Sequence, residues 1–309
     1  MKAVIIEGYG GKEQLQYTDR NMPVLKDNDV LIEIEATSVN PVDWKIREGY
    51  LKEKIPYDFP VTLGLDAAGT IKETGKKVQK FQVGDKVFTR PDITRNGTYA
   101  EYVAVDEGLV VKKPDNLSME EAASIPLVGL TAWQCLVDFA GIKEGDKVLV
   151  HAGSGGVGSF AIQLAKSFGA WVATTCSTDN VEFVQSLGAD KVIDYRSENF
   201  SETLQDMDIV FDTLGGDIQQ QSYNVLKEKG CLVSIAMPPD QDVAEEYNIK
   251  AGYVFLEPDG EQLAKIGEKL ENETIRPVVG TVMDLKDIKK AHELSETHHA
   301  KGKIVLKVK

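Results

Sequence analysis

Six residues near the middle of the chain have the types and spacing that bind a phosphate-bearing ligand. They read Gly-Ser-Gly-Gly-Val-Gly, fit the pattern G-x-G-x-x-G, follow the apolar stretch 147–151 and precede apolar positions spaced by three and four. Glycines at such a strand-to-helix turn let backbone N–H groups and the positive helix end face a pyrophosphate. In this context the pattern predicts a dinucleotide site, against the alternative of an ordinary glycine-rich turn. The residues of the turn predicted to bind the cofactor are Gly153, Ser154, Gly155, Gly156 and Val157.

The polar residues that follow the next predicted strand bear on which dinucleotide is bound. An acidic side chain about 20 positions after the turn would bind the ribose diol of NAD, but the strand ends with hydroxyls that include Thr175 and Ser177. These hydroxyls tolerate a 2'-phosphate better than a carboxylate would, so we predict NADPH in preference to NADH. No Lys or Arg occurs between Lys166 and Lys191 to pair with that phosphate, and Arg196 is the nearest candidate after the third strand. Thr213, at the carboxyl end of a later strand, is also predicted to contact the cofactor.

The elements that must position this turn alternate along the second half of the chain. From Lys147 onward, short apolar strands alternate with amphipathic helices, which favours β-α-β units and a doubly wound parallel sheet. The first 115 or so residues instead have the pattern of short strands joined by turns, such as the period-two alternation over 30–36. The sequence therefore predicts an α/β protein with a β-rich domain first and a boundary near Ser124.

Length, composition and charge limit the classes of function. A chain of 309 residues is long enough for two domains. The net charge of -14 opposes binding to nucleic acid or to an anionic membrane surface. The longest near-apolar stretch, 125–133, is too short to span a membrane, and no signal sequence is evident, so we expect a soluble, cytoplasmic protein. Three cysteines without C-x-x-C spacing indicate neither a disulfide framework nor a thiolate zinc site.

Longer stretches of the sequence resemble a known family. The segment 145–158, followed by Gln163 and Lys166, resembles the signature of the quinone oxidoreductases (zeta-crystallins) of the medium-chain dehydrogenase/reductase superfamily, and the likeness continues through 38–43, 64–69 and 302–306. The resemblance implies a GroES-like β-rich barrel domain formed by residues 1–124 and 258–309. It also implies a doubly wound Rossmann domain over 125–257, with nicotinamide and substrate meeting in a cleft.

The chain departs from the zinc-dependent members of that superfamily. It has Asn40 where they carry a cysteine and Gly-Leu-Asp at 64–66 where they carry Gly-His-Glu, and it lacks their four-cysteine lobe. Without thiolate and imidazole ligands, no zinc site is expected. The four histidines are expected at the surface, because their spacing does not suit chelation.

Zinc-free members that this chain resembles transfer hydride from NADPH to quinones or to the β-carbon of α,β-unsaturated carbonyls (enals and enones). We therefore expect Asn40 to donate a hydrogen bond to a substrate oxygen or the nicotinamide ribose, and Asp43 to accept one from a ribose hydroxyl. Tyr50 and Asp66 are the other candidate catalytic residues. By resemblance, Thr131, Tyr195 and Lys303 are candidate cofactor contacts. The alternatives are a helix-capping turn at 40–43, and structural or surface roles for the others.

Two other functions stay open at this point. One is a reductase of enoyl thioesters, which the acidic composition weakly opposes; the other is a structural or regulatory protein that binds NADPH without turnover. The stretch 253–256 is either an edge strand that pairs two Rossmann sheets in a homodimer, which we expect, or an internal strand.

Overall fold

The computed structural model describes residues 1–309, which form two compact units. Unit 1 contains Met1–Leu127, Pro258–Asn272 and Pro277–Lys309, and unit 2 contains Val128–Glu257 and Glu273–Arg276. The division lies three residues after the boundary expected from the sequence. Residues 273–276 were also expected in the first domain.

The backbone of Arg276 explains why this short segment belongs to unit 2. Its N–H donates to Gln163 Oε1 and its carbonyl accepts from Gln163 Nε2, both at 3.0 Å. Its guanidinium donates to the carbonyl of Ser186 at 3.1 Å. Hydrogen bonds to distant residues, which composition does not reveal, therefore decide this assignment.

Unit 1 consists mainly of antiparallel strands with a few helices. Its strands are β1 (Lys2–Ile6), β2 (Gln16–Asp19), β3 (Asp29–Val39), β4 (Val61–Thr62), β5 (Ala67–Thr74), β6 (Lys86–Thr89), β7 (Tyr102–Asp106) and β8 (Val110–Lys112), with β15 (Val279–Asp284) and β16 (Lys303–Lys307) from the end of the chain. Its helices are α1 (Pro41–Arg47), α2 (Met119–Ala123), α9 (Gly260–Glu271) and α10 (Ile288–Glu296), and α3 (Pro126–Trp133) begins at the limit of the unit.

Strand β3 is the centre of unit 1. Six strands of its sheet follow the order β15-β16-β3-β5-β6-β8, and the seventh strand, β7, pairs with β3 outside this order. Strands β2, β1 and β4 form a second sheet. Over 32–36 buried apolar side chains alternate with partly exposed glutamates, as predicted, with Ile32 and Ile34 inaccessible to solvent. At both ends of the strand consecutive residues are buried. The pairing of β16 with β3 brings the end of the chain beside residues 36–39.

Unit 2 alternates strands with helices. Its strands are β9 (Lys147–Val150), β10 (Trp171–Cys176), β11 (Lys191–Asp194), β12 (Met207–Asp212), β13 (Leu226–Ser234) and β14 (Lys250–Tyr253). Its helices are α4 (Gly156–Ser167), α5 (Val181–Ser186), α6 (Phe200–Thr203), α7 (Gly216–Ser222) and α8 (Gln241–Glu246), and a π-helical stretch (Gln134–Phe139) continues α3. No helix of the chain is long and apolar enough to cross a membrane.

The six strands of unit 2 form a parallel sheet of order β11-β10-β9-β12-β13-β14. The strand order reverses between β9 and β12, and ligands bind open α/β sheets at the carboxyl ends of the strands beside such a switch point. Leu149, Ala173 and Val210 are buried in its core, because helices cover both faces of a parallel sheet. The predicted α/β architecture with a doubly wound sheet is confirmed.

Candidate functional site

The glycine-rich turn connects β9 to α4 at the switch point of the sheet. A Cβ atom on Gly153 would lie 2.0 Å from Thr174 Oγ1, and one on Gly158 would lie 2.3 Å from the carbonyl oxygen of Ala152. Side chains at these two positions would therefore collide with the strand and the turn. The glycines allow the turn and the helix to pack at backbone distance, as the sequence predicted.

The outer side of the turn suits a pyrophosphate. Gly155 is the N-cap of the twelve-residue helix α4, and no side chain caps the N–H groups of its first turn. A Cβ on Gly155 would meet only the carbonyl oxygen of Ala152, at 3.4 Å. Glycine at 155 is therefore not demanded by packing within the protein. A bare backbone with uncapped N–H groups and a positive helix end fits an approaching phosphate, so these residues fit a dinucleotide.

Thr175 is not placed as the sequence predicted. Its side chain is 4% exposed, and its Oγ1 accepts a hydrogen bond from the N–H of Ala152 at 3.1 Å. Because the hydroxyl is occupied beneath the turn, it does not present itself to a 2'-phosphate. Its contact is with the backbone that precedes the turn.

The other predicted cofactor residues of unit 2 lie mostly at the carboxyl ends of strands. Ser177 follows β10, the half-exposed Tyr195 follows β11, and Thr213 follows β12, where its hydroxyl donates to the carbonyl of His151 at 2.9 Å. Arg196 is exposed and lies 3.5 Å from the carboxylate of Asp179. Thr131 is buried in α3. The structure thus brings Ser177, Tyr195 and Thr213 to the ligand edge of the sheet.

In unit 1 the carboxylate of Asp66 is the centre of a buried polar cluster. Its Oδ2 accepts from Ser38 Oγ and Asn40 Nδ2, both at 2.7 Å, and lies 3.3 Å from Lys303 Nζ. Its Oδ1 accepts from the N–H of Leu127 at 2.7 Å. The four donors come from three parts of unit 1, namely the end of β3, the start of β16 and the start of α3, and the carboxylate is inaccessible to solvent. Asp66 is therefore saturated with donors and has no free oxygen for a ligand.

Lys303 belongs to this cluster, although the sequence predicted a cofactor contact. Its Nζ donates to Val39 O at 3.1 Å, to Asn40 Oδ1 and to Asp66 Oδ2. An ammonium group has three protons, and these three acceptors use them all. Burial lowers the pKa of Lys303, and the charge of Asp66 opposes that shift. Lys303 thus serves as the counter-charge of Asp66 and holds Asn40.

Asp43 is also placed differently from the expected ribose contact. It is completely buried, and its Oδ2 accepts from the N–H of Asn40 at 2.7 Å and from the Tyr99 hydroxyl at 2.6 Å. Its Oδ1 has no partner. Burial raises the pKa of Asp43 to about 7. Its contacts stabilise the start of α1, which is the helix-capping alternative of the sequence analysis.

Tyr50 lies apart from the cluster of Asn40, Asp43, Asp66 and Lys303. It is 68% exposed, and its ring makes an edge contact with Trp44 at a centroid distance of 6.1 Å. The structure therefore brings together three of the four candidate catalytic residues and leaves Tyr50 at the surface.

Sequence reasoning missed several buried polar residues. Ser38 lies in the segment 38–43 that carries the family resemblance and Tyr99 lies in no motif, but only strand pairing reveals their contacts with Asp66 and Asp43. His151 and His292 were expected at the surface, but both are completely buried. Burial lowers the pKa of His151 to about 4 and that of His292 to about 3. His151 follows an apolar strand directly, which was the available signal for its burial.

The cluster around Asn40 does not suit a divalent metal. No group of three or more His, Cys, Asp or Glu side chains is arranged to hold a metal ion, and the three cysteines are buried and free. The carboxylate of Asp66, which binds Asn40, is already paired with the ammonium group of Lys303. A second cation at this place would be repelled, because like charges at short range in a low dielectric interact strongly.

Comparisons with known proteins agree with this architecture. Residues 26–115 match the family model described as alcohol dehydrogenase GroES-like domain, and residues 187–306 match the one described as zinc-binding dehydrogenase. The GroES-like character predicted for the first domain is therefore confirmed.

Two relatives and one solved structure show the likeness over the whole chain. The chain is 34% identical to the chloroplast envelope quinone oxidoreductase homolog of Arabidopsis thaliana, covering 99% of this chain and 98% of the relative. It is 35% identical to an NADPH-dependent alkenal/one oxidoreductase, chloroplastic, of the same plant, covering 99% and 79%. The structure of the quinone oxidoreductase from Coxiella burnetii superposes with a TM-score of 0.93 at 37% identity, covering 100% and 99%. The chain accordingly belongs to the quinone oxidoreductase family of the medium-chain dehydrogenase/reductase superfamily and is an oxidoreductase.

Proposed function

We propose that this protein is an NADPH-dependent reductase of quinones or α,β-unsaturated carbonyls that works without zinc. The observation that carries the proposal is the uncapped glycine turn at the switch point of the unit 2 sheet, in a chain whose relatives include quinone and alkenal/one oxidoreductases. When bound, NADPH supplies the hydride, and the acceptor takes up that hydride and one proton. NADP⁺ and the reduced acceptor are the products.

The residues of unit 2 bind and orient the cofactor in this proposal. The N–H groups that begin α4 hold the pyrophosphate, and the close packing of Gly153 and Gly158 keeps the turn at a fixed height above the sheet. Ser177, Tyr195 and Thr213 lie at the same edge of the sheet and contact the remainder of the cofactor. Holding the reacting group in one orientation lowers the barrier, because the entropy of orientation is lost on binding.

Asn40 is the donor that unit 1 contributes in this proposal. Its amide has a single possible orientation, because Oδ1 accepts from the ammonium of Lys303 and Nδ2 donates to the carboxylate of Asp66. Only one hydrogen of Nδ2 is used there. Asn40 is 1% exposed, and we propose that the second hydrogen donates to a substrate oxygen. A donor held by two charged groups does not need to reorient when it binds.

The first experiment compares the oxidation of NADPH and NADH with 1,4-benzoquinone, 9,10-phenanthrenequinone and a short 2-alkenal, each with and without EDTA. We expect turnover that prefers NADPH and is unchanged by EDTA. Turnover that EDTA abolishes would contradict the zinc-free mechanism. Binding of NADPH without turnover of any acceptor would instead support a binding protein.

The preference for NADPH is tested at Ser177, which follows β10 at the ligand edge. A Ser177→Asp change should weaken NADPH much more than NADH, because a carboxylate repels the 2'-phosphate. Gln205→Asp adds the same charge just before β12, at the amino ends of the strands and therefore away from the ligand, and is the matched control. Equal losses for the two cofactors in Ser177→Asp would contradict the placement of the 2'-phosphate.

Two further parts of the proposal concern assembly and location. Strand β14 is the edge of the unit 2 sheet, and we propose that it pairs with the same strand of a second copy in a homodimer. A cytoplasmic location stays a prediction from the sequence, and the two relatives above are named as chloroplast proteins.

A further inference from the structure

The residue before the glycine turn has an unusual backbone conformation. Ala152 has φ of +52°, a left-handed conformation that is unfavourable for a residue with a Cβ atom. Its N–H donates to Thr175 Oγ1 at 3.1 Å, and the next N–H, that of Gly153, donates to the carbonyl oxygen of Thr175 at 2.9 Å. Thr175 therefore accepts hydrogen bonds from both N–H groups at the start of the turn.

The hydroxyl of Thr175 is itself held by a buried histidine. His151 Nδ1 lies 3.3 Å from Thr175 Oγ1, and His151 Nε2 lies 3.0 Å from Ser222 Oγ. Ser222 Oγ is 2.7 Å from the carbonyl oxygen of Ile218, in α7. The three side chains thus link the turn to α7 through four successive hydrogen bonds.

The chemistry of the two ends determines the direction of every bond in this chain. Because the N–H of Ala152 can only donate, Thr175 Oγ1 accepts there and has its own proton for His151 Nδ1. Because the carbonyl of Ile218 can only accept, Ser222 donates to it and accepts from His151 Nε2–H. A neutral imidazole with its proton on Nε2 completes the chain with one proton for each bond. Burial, which lowers the pKa of His151 to about 4, keeps the ring neutral.

The side chains that form this series of hydrogen bonds are shielded from water. His151 and Ser222 are inaccessible to solvent, and the ring of Phe200 packs edge-on against His151 at a centroid distance of 4.7 Å. Water cannot replace a lost partner there, so removing one member leaves a buried polar group unpaired.

We propose that His151, Thr175 and Ser222 are positioning residues that set the glycine turn in the conformation that binds the pyrophosphate. They act through the backbone N–H groups of Ala152 and Gly153, whose hydrogen bonds Thr175 accepts. The inference rests on the proposed binding of NADPH. It replaces the predicted contact of Thr175 with the 2'-phosphate by a role on the pyrophosphate side, so it applies equally to NADPH and NADH.

The test compares Thr175→Val with Thr175→Ser. Valine keeps the shape but removes the hydroxyl, so the Kd and KM for NADPH should rise roughly five- to tenfold, as expected for one hydrogen bond, while kcat stays unchanged. The same factor is expected for NADH. Serine keeps the hydroxyl and should restore affinity to within about twofold of the wild type. Tyr223→Phe, which removes another buried hydroxyl of unit 2, bonded to Asp240 O, is the matched control.

The outcomes separate this inference from the proposed function. If the wild type fails to bind NADPH, the proposed function fails. If the wild type binds NADPH and Thr175→Val binds it equally well, the positioning role is wrong. The role is also wrong if the variant shows a smaller folded fraction and a lower kcat but an unchanged KM. In ¹⁵N-histidine NMR of the wild type, His151, assigned by its loss in His151→Asn, should have a protonated Nε2 and an unprotonated Nδ1. The opposite tautomer would contradict the proposed directions of these hydrogen bonds.

Discussion

At the scale of single residues, the buried charges of unit 1 are arranged around an amide. Asp66 directly precedes β5 and Lys303 begins β16, and each binds one end of the Asn40 side chain. A buried pair of this kind adds little net stability, because desolvation offsets the attraction, but it fixes the geometry of what it touches. The desolvation penalty destabilises the protein when one partner is removed, because the other charge then stays buried without a counter-charge.

Replacing Lys303 by Met should lower the free energy of unfolding by about 3–5 kcal/mol, because the carboxylate of Asp66 stays buried without its counter-charge. Adding Asp66→Asn should recover part of this loss. The control is Lys72→Met, which breaks a half-exposed ion pair with Glu33 and should cost at most about 1 kcal/mol. Chemical denaturation measures all the variants. A similar, small loss in both single variants would contradict the buried pair.

Asp43 should make stability depend on pH. Its pKa of about 7 in the folded protein lies above about 3.9 in the unfolded chain, so the folded state binds more protons between these values. Its contribution is present below pH about 4 and is lost as the pH rises to about 7. Relative to Asp43→Asn, the wild type should therefore lose up to roughly 4 kcal/mol across this window. Unfolding at a series of pH values tests this, with the exposed Asp58→Asn as control, and parallel curves for wild type and Asp43→Asn would disprove it.

At the scale of elements, the strand-turn-helix unit β9–α4 separates two uses of glycine. Gly158 and Gly153 allow close packing inside the protein, whereas Gly155 leaves an open backbone on the outer side. One sequence pattern therefore contains glycines that packing requires and a glycine that packing does not require, which we propose faces the ligand. Substitution by alanine should distinguish them.

Gly158→Ala should lower stability by about 1–3 kcal/mol, because its Cβ would lie 2.3 Å from a backbone oxygen and the helix must move. Gly155→Ala should leave stability within about 0.5 kcal/mol of the wild type, because its Cβ would meet only Ala152 O at 3.4 Å. It should weaken NADPH binding, because the methyl group would occupy the place proposed for the pyrophosphate. Denaturation and a fluorescence titration with NADPH measure the two effects. Normal NADPH affinity in Gly155→Ala would place the pyrophosphate elsewhere.

At the scale of the whole molecule, the open edge of the unit 2 sheet is the feature that bears on assembly. Strand β14 pairs with β13 on one side only, and Tyr253 next to that edge is 39% exposed. The N–H of Val254 donates to Ser234 in β13. Because alternate residues of a strand face the same side, the N–H groups of Ala251 and Tyr253 point away from β13 and are available to a second copy.

Ala251→Pro should prevent the proposed dimer without breaking the sheet, because it removes an outward N–H that β13 does not use. Light scattering should give twice the 34.0 kDa of the chain for the wild type and 34.0 kDa for the variant. NADPH binding and thermal unfolding of the variant are the controls for folding. A monomeric wild type, or a variant that remains dimeric, would contradict pairing through β14.

The elements of both units could largely be predicted because their signals are local. Alternation over 30–36, the apolar strand 147–150, and the spacing of apolar residues in α4 each depend on neighbours along the chain. The glycine turn was recognisable for the same reason, since its function requires consecutive backbone groups. Side-chain partners could not be recognised in this way. Ser38 and Asp66 are 28 residues apart, and Tyr99 and Asp43 are 56 residues apart.

By itself, the sequence determined the family, the two-part α/β architecture and the position of the glycine-rich turn between strand and helix, since all three depend on contiguous motifs and periodic patterns. Only the tertiary structure decided what Thr175, Asp43 and Lys303 contact. Each has a polar group that must find a partner when it is buried, and strand pairing and helix packing determine which partner is within reach. A hydroxyl assigned to the cofactor therefore binds the backbone beneath the turn, and a lysine assigned to the cofactor neutralises a buried acid instead.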